Sequence, residues 1–241
     1  MGAVTPEPTP VPAGDTPAVA SERIRQKLAD QGRNLPSVTP NQIRKALERL
    51  EGGMVPIPGR DFEMCKFELP QSVWEPVAGF NPSKEKGPDL PVSNITMADV
   101  EEFLESLNDL PEVRASGRKF RLPTMEEWEF ACLAGGTNGF CRLADGTQIT
   151  AETLGEVAWF AGNSADGPHP VCMKKPNAFG LYDMHGNVAE FTSTRKPGDP
   201  FEYIWKGNAY NGKNPESFRA GFSPSITYGL SFPIAGFRLA R

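Results

Sequence analysis

Residues 177–193 read NAFGLYDMHGNVAEFTS, and residues 121–136 read RLPTMEEWEFACLAGG. In the first stretch Asn177, Gly180, Gly186 and Asn187 punctuate the chain as turn residues do, so loop and short strand are expected there. In the second, Thr124 with Glu127 three residues on is a capping-box pattern. Trp128, Ala131 and Cys132 then fall on one face, which predicts a short helix. The acids Glu126, Glu127 and Glu129 cluster at that helix start, where they favour the dipole; this explains them without acid–base chemistry.

On the N-terminal side the pattern is more regular. Thr96 with Asp99 caps another helix, whose Val100, Phe103, Leu104 and Leu107 form an apolar stripe. Residues 54–57 and 62–69 read as strands joined by Pro58-Gly59. Thr39, Pro40 and Gln42 open a further helix with Ile43, Ala46, Leu47 and Leu50 on its apolar face, ended by Gly52-Gly53. A helix from Ser21 to Gly32 with Ile24 and Leu28 precedes it. Residues 4–20 (VTPEPTPVPAGDTPAVA) are Pro-rich and read as an extended linker. The expected organisation is a linker over 1–20, a short helical appendage over 21–51 and one domain over 52–241. Its class is α+β, with a small twisted antiparallel sheet, two main helices and long irregular connections.

Composition narrows the function. The 241 residues include 24 Gly and 24 Pro, in keeping with many turns. A net charge of -5 argues against nucleic acid or an anionic membrane as partner. The sequence contains no apolar run long enough to span a bilayer. Four cysteines (Cys65, Cys132, Cys141, Cys172) form no CxxC pair, and the histidines are only His169 and His185, so zinc is not expected. Two disulfides are permitted but not demanded; buried free thiols are the preferred reading.

With residues 62–82, 91–107 (PVSNITMADVEEFLESL) and 236–241 (GFRLAR), the two opening segments resemble the formylglycine-generating-enzyme (sulfatase-modifying-factor) family. The resemblance runs over residues 52–241 in the family's order. It implies an irregular C-type-lectin-like fold. It also implies structural calcium, held by the carboxylates of Asp183 and Glu190 and the carbonyls of Gly186 and Val188; oxygen donors of this kind suit Ca²⁺. Trp128 and Phe130 are expected in the core, and Arg121 and Arg238 on loop carbonyls. His185 is given no catalytic role.

The family's enzymes oxidise a substrate cysteine using copper on two cysteines, beside a serine and a tryptophan. Here residues 211–222 (NGKNPESFRAGF) contain no cysteine, and Gly212 and Ser217 stand where the thiols belong. Ala209 replaces the serine, and Ala189 the first tryptophan of the WEWT motif. Cu(I) selects soft sulfur, so neither copper nor catalysis is expected.

Between Lys206-Gly207 and Gly236-Phe237-Arg238 the chain carries aromatics among small polar residues, the composition of a contact surface. This framework resembles the variable proteins of diversity-generating retroelements. The resemblance implies a binding protein whose displayed positions are Tyr210, Asn211, Gly212, Asn214, Phe222, Ser223, Ser225, Ile226, Tyr228 and Leu230. It also implies a protein or glycan ligand and a bacterial or phage origin; with the Pro-rich linker as an N-terminal tether, the expected location is the cell surface or the periplasmic or extracellular space. Two alternatives stay open: a family enzyme with its pocket rebuilt around Glu190 or Arg219, and a structural pseudoenzyme that docks a partner through residues 21–51.

Overall fold

The computed structural model describes residues 38–241. The linker over 1–20 and the helix expected from Ser21 to Gly32 lie outside the described residues. Five helices are present among them: α1 (Pro40–Glu51), α2 (Gln71–Ala78), α3 (Met97–Asp109), α4 (Pro111–Ser116) and α5 (Met125–Leu133). A hairpin pairs β1 (Met54–Pro56) with β2 (Glu63–Cys65). The main sheet holds β3 (Ala189–Arg195), β4 (Glu202–Lys206), β5 (Ser225–Thr227) and β6 (Ala235–Phe237), in the order β5-β4-β3-β6. β4 is antiparallel to both neighbours, whereas β6 joins β3 in parallel. A parallel partner requires a long return of the chain, and residues 207–234 supply it.

Local chemistry sets the three helices that the sequence predicts within the described residues. Thr39, Thr96 and Thr124 each cap a helix through a complete capping box with Gln42, Asp99 and Glu127. The apolar face of α1 (Ile43, Ala46, Leu47, Leu50) is buried in the same core as α2 and α3. Helices α2 and α4 carry no such signal. Pro76 inside α2 would argue against a helix in isolation, and tertiary packing overrides it. Trp74 of α2 stacks on Phe103 of α3 at 4.9 Å, and the Phe237 ring meets both edge-on. The last strand thus closes a core that the helices begin.

Much of the remainder is loop, and its backbone groups need side-chain partners. His185 is one of these pins. It is fully buried; its Nε2 accepts from the Cys141 N–H at 3.0 Å, so Nδ1 carries the proton and donates to the Phe218 carbonyl at 2.8 Å. Asn177 likewise donates to the carbonyls of Ala131 and Cys132 and accepts from Phe179 and Leu181. The four cysteines are free thiols, three buried and Cys172 half-buried.

Burial pushes the His185 imidazole down to about 4, and a second ring proton would also abolish its acceptance from Cys141. Its stabilising effect is therefore complete above about 6.5, the ordinary histidine value, and is lost as pH falls towards 4. Thermal melts of the wild type and His185→Gln between pH 7 and pH 4.5 should converge as pH falls, because the wild type loses this increment and the variant has none to lose. Parallel pH profiles for the two proteins would overturn the assignment.

Candidate functional site

Beneath the sheet lies a buried charge centre. Glu190 on β3 and Arg238, just past β6, are both completely buried, and Glu190 pairs with Gly236 in the parallel ladder. The guanidinium donates to both carboxylate oxygens, Nε to Oε2 at 2.7 Å and a terminal nitrogen to Oε1 at 2.6 Å. It also donates to the carbonyls of Cys65 (3.2 Å) and Tyr182 (2.9 Å). Trp128 Nε1 of α5 donates to Glu190 Oε2 at 2.7 Å. One ion pair therefore ties together β3, the C-terminal segment, α5, the hairpin and the 177–188 loop. The Arg121 expectation is met in part: it donates to the Leu122 carbonyl and forks onto Glu127.

Two further carboxylates sit nearby. Glu68 accepts from the Val188 N–H (2.9 Å) and Asn187 Nδ2 (2.6 Å). Asp183, at φ +59, accepts from the Cys172 N–H at 2.9 Å through Oδ2, while its buried Oδ1 has no hydrogen-bond partner. Burial, then the charges of Asp183 and Glu190, hold the Glu68 carboxyl well above its usual range. Burial also raises Asp183, against the Cys172 N–H and Arg238.

The calcium expectation fits this arrangement in part. Asp183 suits a hard cation, having a buried oxygen with no other partner. Glu190 does not, since Arg238 and Trp128 occupy its carboxylate; a guanidinium stands where the fourth ligand was expected. Among the described residues no three His, Cys, Asp or Glu side chains converge as a cage.

The C-terminal segment is held from below and open above. Lys206 closes β4 with its ammonium fully buried, donating to Glu129 (2.7 Å), the Phe222 carbonyl (2.9 Å) and Ser223 Oγ (2.8 Å). At Gly212, where the resemblance implied the first family thiol, an added Cβ would lie 2.5 Å from the Phe218 ring. The space is filled by a buried aromatic. Ser217 is hydrogen-bonded to Asn208 and to the Asn214 carbonyl.

Of the displayed positions expected from the sequence, Asn211, Asn214, Phe222, Ser223, Tyr228 and Leu230 are exposed. Tyr210, Gly212 and Ser225 are half-buried. Ile226 is a correction: it lies opposite Tyr203 across β4 and β5, and both point into the main core. The expected residues form two groups. Residues 210–214 sit by Ala161 and Ser164, through the Gly212 carbonyl and the Tyr210 carbonyl. Residues 222–230 run along β4. Sequence reasoning missed Glu68, the exposed Phe201 and the anchoring role of the Lys206 ammonium; Glu68 is flanked by the apolar Phe67 and Leu69, the one local sign of its burial.

Breaking the buried pair on one side should cost about 3–5 kcal/mol, because an unpaired charge is left in the core. Urea unfolding should therefore show Glu190→Gln and Arg238→Met each strongly destabilised. The double variant should lose much less than the sum. Additive losses would show that the two side chains are not coupled.

Comparison with known proteins agrees with this architecture. Residues 19–241 match the sulfatase-modifying factor enzyme 1-like domain. The chaperone protein LppX of Paenibacillus barcinonensis is 26% identical over 176 residues, covering 54% of this chain and 61% of that one. The inactive C-alpha-formylglycine-generating enzyme 2 of Mus musculus is 30% identical over 148 residues (59% and 44%). The formylglycine-generating enzyme of the same species is 30% identical over 143 residues (54% and 38%). The chain thus spans about half the length of the curated relatives it matches. Among solved structures, Treponema denticola variable protein 1 superposes with a TM-score of 0.65 at 26% identity, covering 74% of this chain and 84% of that one. The fold is the C-type-lectin-like α+β fold of these proteins, and the chain belongs to the sulfatase-modifying factor enzyme 1-like domain family.

Proposed function

We propose that this protein is a non-catalytic binding module that presents its C-terminal segment to a protein or glycan ligand. One observation carries the reading. Of the six large apolar side chains exposed among the described residues, five fall between 201 and 232: Phe201 (65%), Leu230 (51%), Phe222 (45%), Tyr228 (40%) and Phe232 (38%). Exposed aromatics at this density are characteristic of interaction surfaces. The likeness to a variable protein and to an inactive enzyme supports it. So does the chemistry of the tail, where residues 211–222 offer no thiol and Phe218 fills the space beside Gly212.

A pocket rebuilt for catalysis finds less support. Glu190 is sealed in its ion pair, and Arg219 is engaged by Glu216 and the Asn138 carbonyl. Helix α1 buries its apolar face in its own domain, which argues against a docking arm there. On the same reading the positions that vary between copies of such a protein are the exposed ones, and residues 4–20 tether it outside the cell. Protease treatment of intact cells that left the protein uncut would refute that placement. The hard cation expected from the sequence would bind at Asp183 with the carbonyls of Gly186 and Val188, offsetting buried negative charge.

Simultaneous replacement of Asn211, Asn214, Phe222, Tyr228 and Leu230, with Ser223→Thr to keep the hydroxyl that accepts from buried Lys206, should leave stability within about 1 kcal/mol, since surface sites contribute little. Ile226→Ser should cost several-fold more. Screening the chain on protein and glycan arrays should give hits that the six-fold variant loses. Hits that persist in that variant, or aldehyde formed on a cysteine peptide with added copper, would refute the proposal. Separately, EDTA should lower the melting temperature, and Asp183→Asn should abolish that response; a melting point indifferent to EDTA would remove the cation.

A further inference from the structure

One side of this face has a defined chemical bias. The rings of Tyr203 and Tyr228 lie 6.1 Å apart, tilted by 34°. Both hydroxyls donate to the same carboxylate, Glu101 on α3: Tyr228 at 3.1 Å and Tyr203 at 3.4 Å. The Tyr228 N–H donates to the Phe201 carbonyl at 2.6 Å, which joins the two residues through their backbones with both side chains exposed. Farther along, Trp205 and Phe232 pack at 5.9 Å.

This arrangement is electronegative in two ways. Aromatic ring faces carry negative quadrupole density. Beside them stands an exposed carboxylate oriented by two neutral phenols, with no cationic side chain paired to it among the described residues. The nearby lysines are already neutralised: Lys196 pairs with Glu202 and Lys206 with Glu129. Arg195 shows what the surface accepts, its guanidinium lying 4.6 Å from the centre of the Tyr203 ring. The other side of the cluster, formed by Tyr228, Phe201 and Glu101, is exposed. The net charge of -5 adds a long-range bias towards a basic partner.

We infer that the ligand of this face is a protein that docks through an arginine or lysine side chain, its cation seated against Tyr228 and Phe201 beside Glu101. The inference rests on the binding-face reading and adds the chemistry of the partner. Aromatic rings alone would serve an apolar partner or a sugar equally well; the fixed carboxylate among them selects a cation.

Fluorescence anisotropy with labelled peptides tests this. The probes are one sequence carrying arginine at its centre and the same sequence with citrulline, which keeps the shape and removes the charge. The arginine peptide should bind the whole chain about tenfold more tightly than the citrulline peptide, the range of a desolvated cation–π contact assisted by a carboxylate. Glu101→Gln should erase that difference without shifting the melting temperature. Equal binding of the two peptides, no binding of either, or a Glu101→Gln variant that still discriminates would each overturn the inference. Its failure is separable from failure of the binding-face reading. If array hits are lost in Tyr228→Ala but unaffected by Glu101→Gln, or are all glycans, the face binds and the cationic partner is wrong. If neither substitution affects any hit, both readings fall.

Discussion

The ion pair between Glu190 and Arg238 is the constraint on which the rest of the structure depends. It joins strands β3 and β6 at the point where they run parallel, and its spare donors and acceptors reach α5, the hairpin and the 177–188 loop. A domain with so much irregular backbone has few regular ladders with which to satisfy its polar groups. Five guanidinium donors in a fixed plane are well suited to gathering several segments at once. The pair is more valuable as an organiser than as a source of net stability, since two charges must lose their water for it to form.

Around that centre the interior carries more carboxyl groups than cations, and burial favours their neutral forms at Glu68 and Asp183. Glu68, Asp183 and Glu190 face one buried guanidinium, and Asp183 keeps an unsatisfied oxygen. Such a group is costly unless a proton or cation accompanies it. The three carboxylates are all buried, and Glu190 lies opposite Lys206 across β3 and β4, so the cluster belongs to the interior that supports the C-terminal segment.

The C-terminal segment is held to the rest of the domain largely through backbone and core groups. Lys206 grips the 222–223 turn partly through the Phe222 carbonyl, a group that every residue possesses. Tyr203, Ile226 and Phe218 anchor the same segment from inside the core. Of the outward residues, Ser223 still accepts from Lys206 and Tyr228 donates to Glu101, whereas the side chains of Phe222 and Leu230 project into solvent.

The sequence by itself determined the family, the capped helices and the absence of cysteine from residues 211–222, because caps, motifs and composition are local facts. Thr39, Thr96 and Thr124 each cap as their neighbours dictate. It also marked the tail as a surface, and most of the named positions are open to solvent. Tertiary structure alone decided the rest. Helix α2 forms around Pro76 because Trp74 has Phe103 and Phe237 to pack against. Ile226 turns inward because it faces Tyr203 across an antiparallel ladder, and side-chain alternation in so short a strand is fixed by its partner. Glu190, which the family resemblance implied as a calcium ligand, is committed to an arginine 48 residues away. A carboxylate's partner is set by which charge the fold brings beside it, and no window of sequence contains that information.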